Sequence, residues 1–152
     1  MSDKIRIHYQ EELDYLEAQA LGAFDLVVRA LDRTIEAIEH QDIQLAEIVA
    51  NDDDRIDGRY LEIHQGLITL LATQSPVATD LRLISALLHI LKNAERMGDQ
   101  CVNICKLIPI VGHEPPADEN LVRRILEMGA QARLQTIQAK QAFADRDETA
   151  AQ

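Results

Sequence analysis

The sequence predicts an all-α protein, an up-down-up three-helix bundle followed by a fourth long helix, and three observations carry that prediction. Apolar residues recur at steps of three and four almost from end to end. Aromatic residues make up 3% of the chain against 47% hydrophobic residues overall. Leu, Ile, Val and Ala must therefore fill the core, which suits helix-on-helix packing better than a sheet. Strong breaking signals fall at only two places, Ser75-Pro76 and the segment 109–120.

The first helical stripe runs through Leu13, Leu16, Ala20, Phe24, Val27, Leu31, Thr34 and Ile38. Asp42 offers an N-cap to a second run, Leu45, Val49, Ile56, Tyr60, Ile63, Leu67 and Leu70. Ser75-Pro76 ends that run, because a residue before proline is pushed out of the helical region. The third stripe is Leu81, Ile84, Leu88, Leu91, Glu95, Gly98, Val102 and Cys105, alternating by three and four like a coiled-coil seam. A linker, PIVGHEPPADEN, follows, and a fourth helix starts near Leu121 with Ile125, Met128, Ala132 and Phe143 as its apolar markers. The expected organisation is a three-helix bundle over 1–108, a linker over 109–120 and a fourth helix over 121–152. The first three rods hold roughly 30 residues each, about 45 Å of helix. The fourth also looks like a second copy of the first, offset by 105 positions, with AIEHQDIQLA (37–46) set against AFADRDETAA (142–151).

Charge narrows the function. The formal net charge is −11, from 26 acids and 15 bases. Such a surface repels phosphate backbones and anionic lipid, which argues against nucleic-acid binding, and it attracts polyvalent cations. No apolar stretch reaches the ~20 residues of a membrane span, and the first residues carry no export signal, so direct membrane insertion is not expected. Cys101 and Cys105, four apart on a helix, read as packing residues of a protein kept in a reducing cytoplasm.

Two seam positions break the apolar rule, Asp52 in the second helix and Glu95 in the third. A carboxylate on a bundle seam is costly unless something neutralises it. Asp53 and Asp57 lie four apart, as do Glu95 and Asp99, and Asn103 follows one turn later. Residues at i and i+4 share a helical face, so two such pairs on neighbouring helices would gather four carboxylates. Oxygen-rich clusters of this kind suit magnesium, manganese, calcium, iron or zinc. A run of solvated acids on a long acidic helix accounts for the same spacing without any metal.

Three blocks resemble the PhoU family of phosphate-uptake and phosphate-signalling regulators. They are IVANDDDRID (48–57), QSPVATDLRLI (74–84) and ERMGDQCVNI (95–104), in the family's order. The resemblance covers residues 10 to 152 and implies two side-by-side three-helix bundles, of which this sequence holds the first and the start of the second. It further implies a metal site of Asp53, Asp57, Glu95 and Asp99, with Asn103 as a neighbour, taking iron or zinc foremost and magnesium or manganese after them. The implied role is that of a cytosolic adaptor between a phosphate-transporter ATPase and a sensor histidine kinase, self-associating and not an enzyme. It would restrain uptake and two-component signalling when phosphate is plentiful. The sequence stops where a fifth helix of the family should begin, so it is expected to be a short member or a fragment. Its fourth helix would then pack on the first bundle or exchange with another chain.

Two other readings compete with this one. His89-Ile90-Leu91-Lys92 resembles the His-x-x-Lys core of histidine phosphotransfer modules, with His89 as the phosphorylated group. A di-iron carboxylate enzyme would need Glu-x-x-His pairs, and none of the five histidines has a glutamate three residues before it.

Overall fold

The structure, a computed structural model, describes residues 2–73, 76–111 and 118–151, apart from the side chains at positions 2–5 and 53. Its elements are α1 (Ser2–His40), α2 (Ile43–Asn51), α3 (Asp53–Thr73), α4 (Ala78–Val111) and α5 (Glu119–Asp145). α1, the α2–α3 rod and α4 form the three-helix bundle. The expected second helix is therefore two. Asp42 caps α2 as the sequence predicts, its carboxylate accepting from the Leu45 N–H at 2.9 Å. The rod then breaks at Asp52, whose N–H reaches back to the carbonyls of Ile48 and Val49 while α3 starts afresh at the next residue.

One half of the bundle is filled by Leu13, Leu16 and Ala20 of α1, Ile63, Leu67 and Leu70 of α3, and Ile84, Leu87 and Leu91 of α4. The other half packs Ala37 against Ala46 and Val49 of α2 and against Cys101, Cys105 and Ile108 of α4. Both cysteines are buried, and burial pushes the Cys105 thiol up while its Sγ sits 3.5 Å from the Thr34 hydroxyl. They pack, as expected.

The α4 seam is rotated from the one read off the sequence. Leu87, Ala94, Cys101 and Ile108 are buried, whereas Leu81 is exposed and Leu88 and Glu95 lie at the margin. An apolar stripe on a globular helix is wider than a coiled-coil seam, so several choices of centre fit the same letters. Glu95 consequently stands at the edge of the core, its side chain 17% exposed, rather than on its axis. Asp52, also expected at a core position, is half-exposed and paired with Arg33. The helix break takes it off the stripe. α4 runs on through Pro109 to Val111, and proline there removes one hydrogen bond close to the helix end, where the loss is small. The rest of the 109–120 segment up to position 117 lies outside the described residues, as do positions 74 and 75 of the Ser75-Pro76 turn.

α5 lies antiparallel on α1, the first of the two arrangements expected for it. Gly129 allows the close approach, since a Cβ there would stand 2.8 Å from Cγ1 of Ile35. Along the contact the bases of α5 and the residue after it meet the acids of α1: Arg133 with Asp32, Lys140 with Asp25 at 2.6 Å, and Arg146 with Glu17 at 2.7 Å. Successive pairs are about two turns apart, which keeps them on one face.

The sequence similarity between 37–46 and 142–151 has a structural counterpart. α1 ends with Gln41 in the left-handed region (φ 51°), and α5 ends with Arg146 in the same region (φ 55°). The next N–H returns to the matching carbonyl in each case, Asp42 to Ala37 at 3.0 Å and Asp147 to Ala142 at 2.9 Å. The aspartates then accept from the N–H groups three residues on, Leu45 and Ala150. One sequence pattern makes one capping turn twice.

Exposed ion pairs contribute about 0.2–1 kcal/mol each and are screened by salt. The variant Asp25→Ala/Asp32→Ala is therefore expected to loosen α5 by up to about 2 kcal/mol, read as faster limited proteolysis within 119–145 at low ionic strength. Equal cleavage rates for the variant and the parent would show that apolar packing alone holds α5.

Candidate metal centre

Glu95 and Asp99 project from successive turns of α4, and Asp57 comes from the first turns of α3. Each offers a carboxylate oxygen, and these atoms lie within 4.8 Å of one another. What brings them together is the helix contact beside them. Ile56 is buried against Gly98, where a Cβ would stand 2.9 Å from Ile56 Cδ1. The missing side chain lets α3 approach α4, and the next residue in each helix, Asp57 and Asp99, is carried to the rim of that contact. The space that the missing side chain leaves is taken by Ile56 of α3.

The electrostatics follow from the crowding. Asp57 has its carboxyl pushed above the ordinary aspartate value of 3.8, first by partial desolvation, then by the charges of Asp99, Glu95 and Asp54. Lys92 opposes the shift. Its Nζ lies 2.7 Å from Glu95 Oε2 and 5.5 Å from the centroid of the Tyr60 ring. The bond to Glu95 is the main reason that the Lys92 ammonium holds its proton more tightly than usual. Three carboxylates against one ammonium leave an excess of two negative charges at a partly shielded spot.

Of the five ligands expected from the sequence, the structure brings together Asp57, Glu95 and Asp99. The side chain of Asp53 lies outside the described residues. Asn103 is exposed, one turn beyond Asp99 on α4. Lys92, Tyr60 and Asp54 were not anticipated as part of the cluster. The i, i+3 spacing of Lys92 and Glu95 was a legible signal, but the sequence reading had placed Lys92 beside His89 in a phosphotransfer motif. His89 itself is exposed on α4.

The donor set, three carboxylate oxygens, fits a hard cation such as magnesium, manganese or iron. Zinc sites draw more often on imidazole or thiolate, which this cluster lacks among the described residues.

The PhoU domain profile matches residues 21–108. The chain belongs to the PhoU family. It is 36% identical over 106 residues to the phosphate-specific transport system accessory protein PhoU homolog of Aquifex aeolicus, a match that takes in 70% of this chain and 48% of that protein. The homolog of the same description from Clostridium acetobutylicum is 31% identical over 140 residues, 91% of this chain and 63% of its own length. Among solved structures, the phosphate transport system regulatory protein PhoU from Streptococcus pneumoniae superposes with a TM-score of 0.84 at 26% identity, across 93% of this chain and 66% of that one. This PhoU chain thus spans about half to two thirds of the length of these relatives. The matched region contains α2, α3 and most of α4 and with them Asp57, Glu95 and Asp99, and the match lends no support to the phosphotransfer reading of His89.

The raised Asp57 value has a definite sign for stability. The folded protein binds this proton more tightly than the unfolded chain, so ionised Asp57 lowers stability at neutral pH. The penalty fades as pH falls through the raised value toward 3.8. Asp57→Asn should therefore raise the unfolding midpoint of chelator-treated protein at pH 7 by about a degree at most, because solvent screens this exposed carboxylate, with the gain shrinking in acid. A lower midpoint at pH 7 would show that Asp57 is well accommodated as an anion.

Proposed function

We propose that this chain is a regulatory component of a phosphate transport system that acts through protein contacts and uses the α3–α4 carboxylates to hold metal. The observation that carries the reading is the convergence of Asp57, Glu95 and Asp99 inside a PhoU domain. Iron or zinc is the cation that the family resemblance implies, and the all-oxygen donors favour iron over zinc, with magnesium or manganese as the next candidates. Asp53 would be a fourth ligand. When bound, the cation supplies positive charge and a cross-link between α3 and α4. The residues themselves do the rest: Ile56 and Gly98 set the helix spacing, and Lys92 partly neutralises the cluster through Glu95.

Names of relatives supply the setting, a phosphate-specific transport system. The proposed partners are the transporter's ATPase on the cytoplasmic side and the sensor histidine kinase of the phosphate response, with the chain restraining both when phosphate is abundant. Self-association is part of the same proposal. No described helix is long and apolar enough to cross a membrane. Leu121, Ile125 and Met128 lie exposed on one flank of α5, which supports a protein-contact role over a catalytic one.

Replacing Glu95 and Asp99 together with alanine should remove metal measured by elemental analysis, with at least a tenfold loss of affinity for the remainder. Affinity in the parent should also fall as pH drops, starting above 3.8, because a protonated Asp57 cannot ligate. Capture of the purified transporter ATPase by the parent chain, weakened in the metal-free variant, is the expected functional readout. Unchanged metal content would refute the site, and absence of ATPase capture would refute the partner.

A further inference from the structure

Behind the acid cluster, on the other side of the Ile56–Gly98 contact, lies a cleft of opposite character. It is framed by Arg29 and Arg33 of α1, Asp52 at the α2–α3 break, Arg55 of α3, and a floor that includes Ile56 and Gly98. Its volume is about 50 Å³, room for roughly three or four waters. Three guanidinium groups and one carboxylate give this lining a net charge of +2, in a chain whose formal net charge is −11. An acidic protein has no general reason to collect arginines around a concavity.

The geometry of the pairing is informative. A single oxygen, Asp52 Oδ2, is 2.8 Å from Nη1 of Arg33 and 3.9 Å from Nη1 of Arg55. That oxygen marks a point where an oxyanion would be hydrogen-bonded by Arg33 and would lie within ion-pair reach of Arg55. Arg29, one turn from Arg33 on the same face of α1, lines the cleft with no ion pair among the described residues. Asp52 is half-exposed and can swing out to solvent when a better anion arrives.

We propose that this cleft binds a free tetrahedral oxyanion of the size of inorganic phosphate, held by Arg29, Arg33 and Arg55, with Asp52 as the resident carboxylate it displaces. The site is distinct from the acidic cluster and shares no side chain with it, so its test stands apart from the metal reading. The two are nevertheless tied to one stretch of helix. Asp52, Ile56 and Asp57 belong to the same short segment, so loss of the Asp52–Arg33 bond acts on the segment that carries Asp57.

Calorimetric titration of the full chain with inorganic phosphate, at constant ionic strength in a chloride background and with and without chelator, tests the proposal. Binding with a Kd of about a millimolar is expected, because Arg29 and Arg55 are exposed and only Arg33 is half-buried. Asp52→Asn, which keeps the backbone cap and removes the competing charge, should tighten binding about threefold or more. Arg29→Gln/Arg55→Gln should weaken it about tenfold, with circular dichroism unchanged. Chemical-shift mapping on the parent should place the phosphate effects on the arginine side chains of this cleft, independently of how any variant folds. Silence in both the parent and Asp52→Asn, no tightening in Asp52→Asn, or shifts confined to other surfaces would overturn the proposal. Phosphoserine is the control for a phosphorylated partner, and its binding while inorganic phosphate stays inert would overturn it too.

Discussion

Much of this molecule depends on one close contact, Ile56 of α3 against the bare backbone of Gly98 in α4. A helix carrying a side chain at position 98 would have to shift Ile56 or stand further from α3. At the observed spacing Asp57 reaches Glu95 and Asp99 on one side, while on the other Ile56 and Gly98 floor the arginine-lined cleft. An apolar packing decision thus sets the distance between charged groups. This ordering is physically sensible, because burial of apolar surface supplies the driving force and mutual repulsion of carboxylates opposes it.

The break at Asp52 is the second organising feature. A continuous rod would have carried the 42–73 stripe straight through, with Asp52 directed inward. Ending α2 and restarting α3 places Asp52 at the surface beside Arg33 and sends the following turn of α3 toward α4. Charge is thereby sorted along a short stretch: bases of α1 and α3 collect at Asp52, and acids collect at Asp57. In a strongly acidic chain, this sorting creates two local fields of opposite sign within a few residues.

α5 is attached differently from the rest. The three-helix bundle is held by large apolar clusters, but α5 meets α1 mainly through small residues, Gly129, Thr136 and Ala142 among them, with Phe143 at the edge of the core and three ion pairs at the margin. A contact of this type is weaker and more sensitive to salt than a core. It leaves a flank of apolar residues on α5 uncovered, and the capping turn at its end repeats the one that leads from α1 into α2.

Taken by itself, the sequence determined the helical class, the number of rods, the Asp42 cap, the likeness of 37–46 to 142–151 and the pairing of Glu95 with Asp99, because each is a local matter of period or of short-range pattern. The same spacing singled out Asp57, which the structure sets beside Glu95 and Asp99. It could not choose the centre of the α4 stripe, since a run with apolar residues at 84, 87, 88, 91, 94, 98, 101, 102 and 105 admits more than one. Nor could it find the helix break at Asp52, nor the arginine cleft, whose members come from α1 and α3. Those features were decided by tertiary structure, because only the packing of separate helices fixes which side chains, distant along the chain, share one small volume.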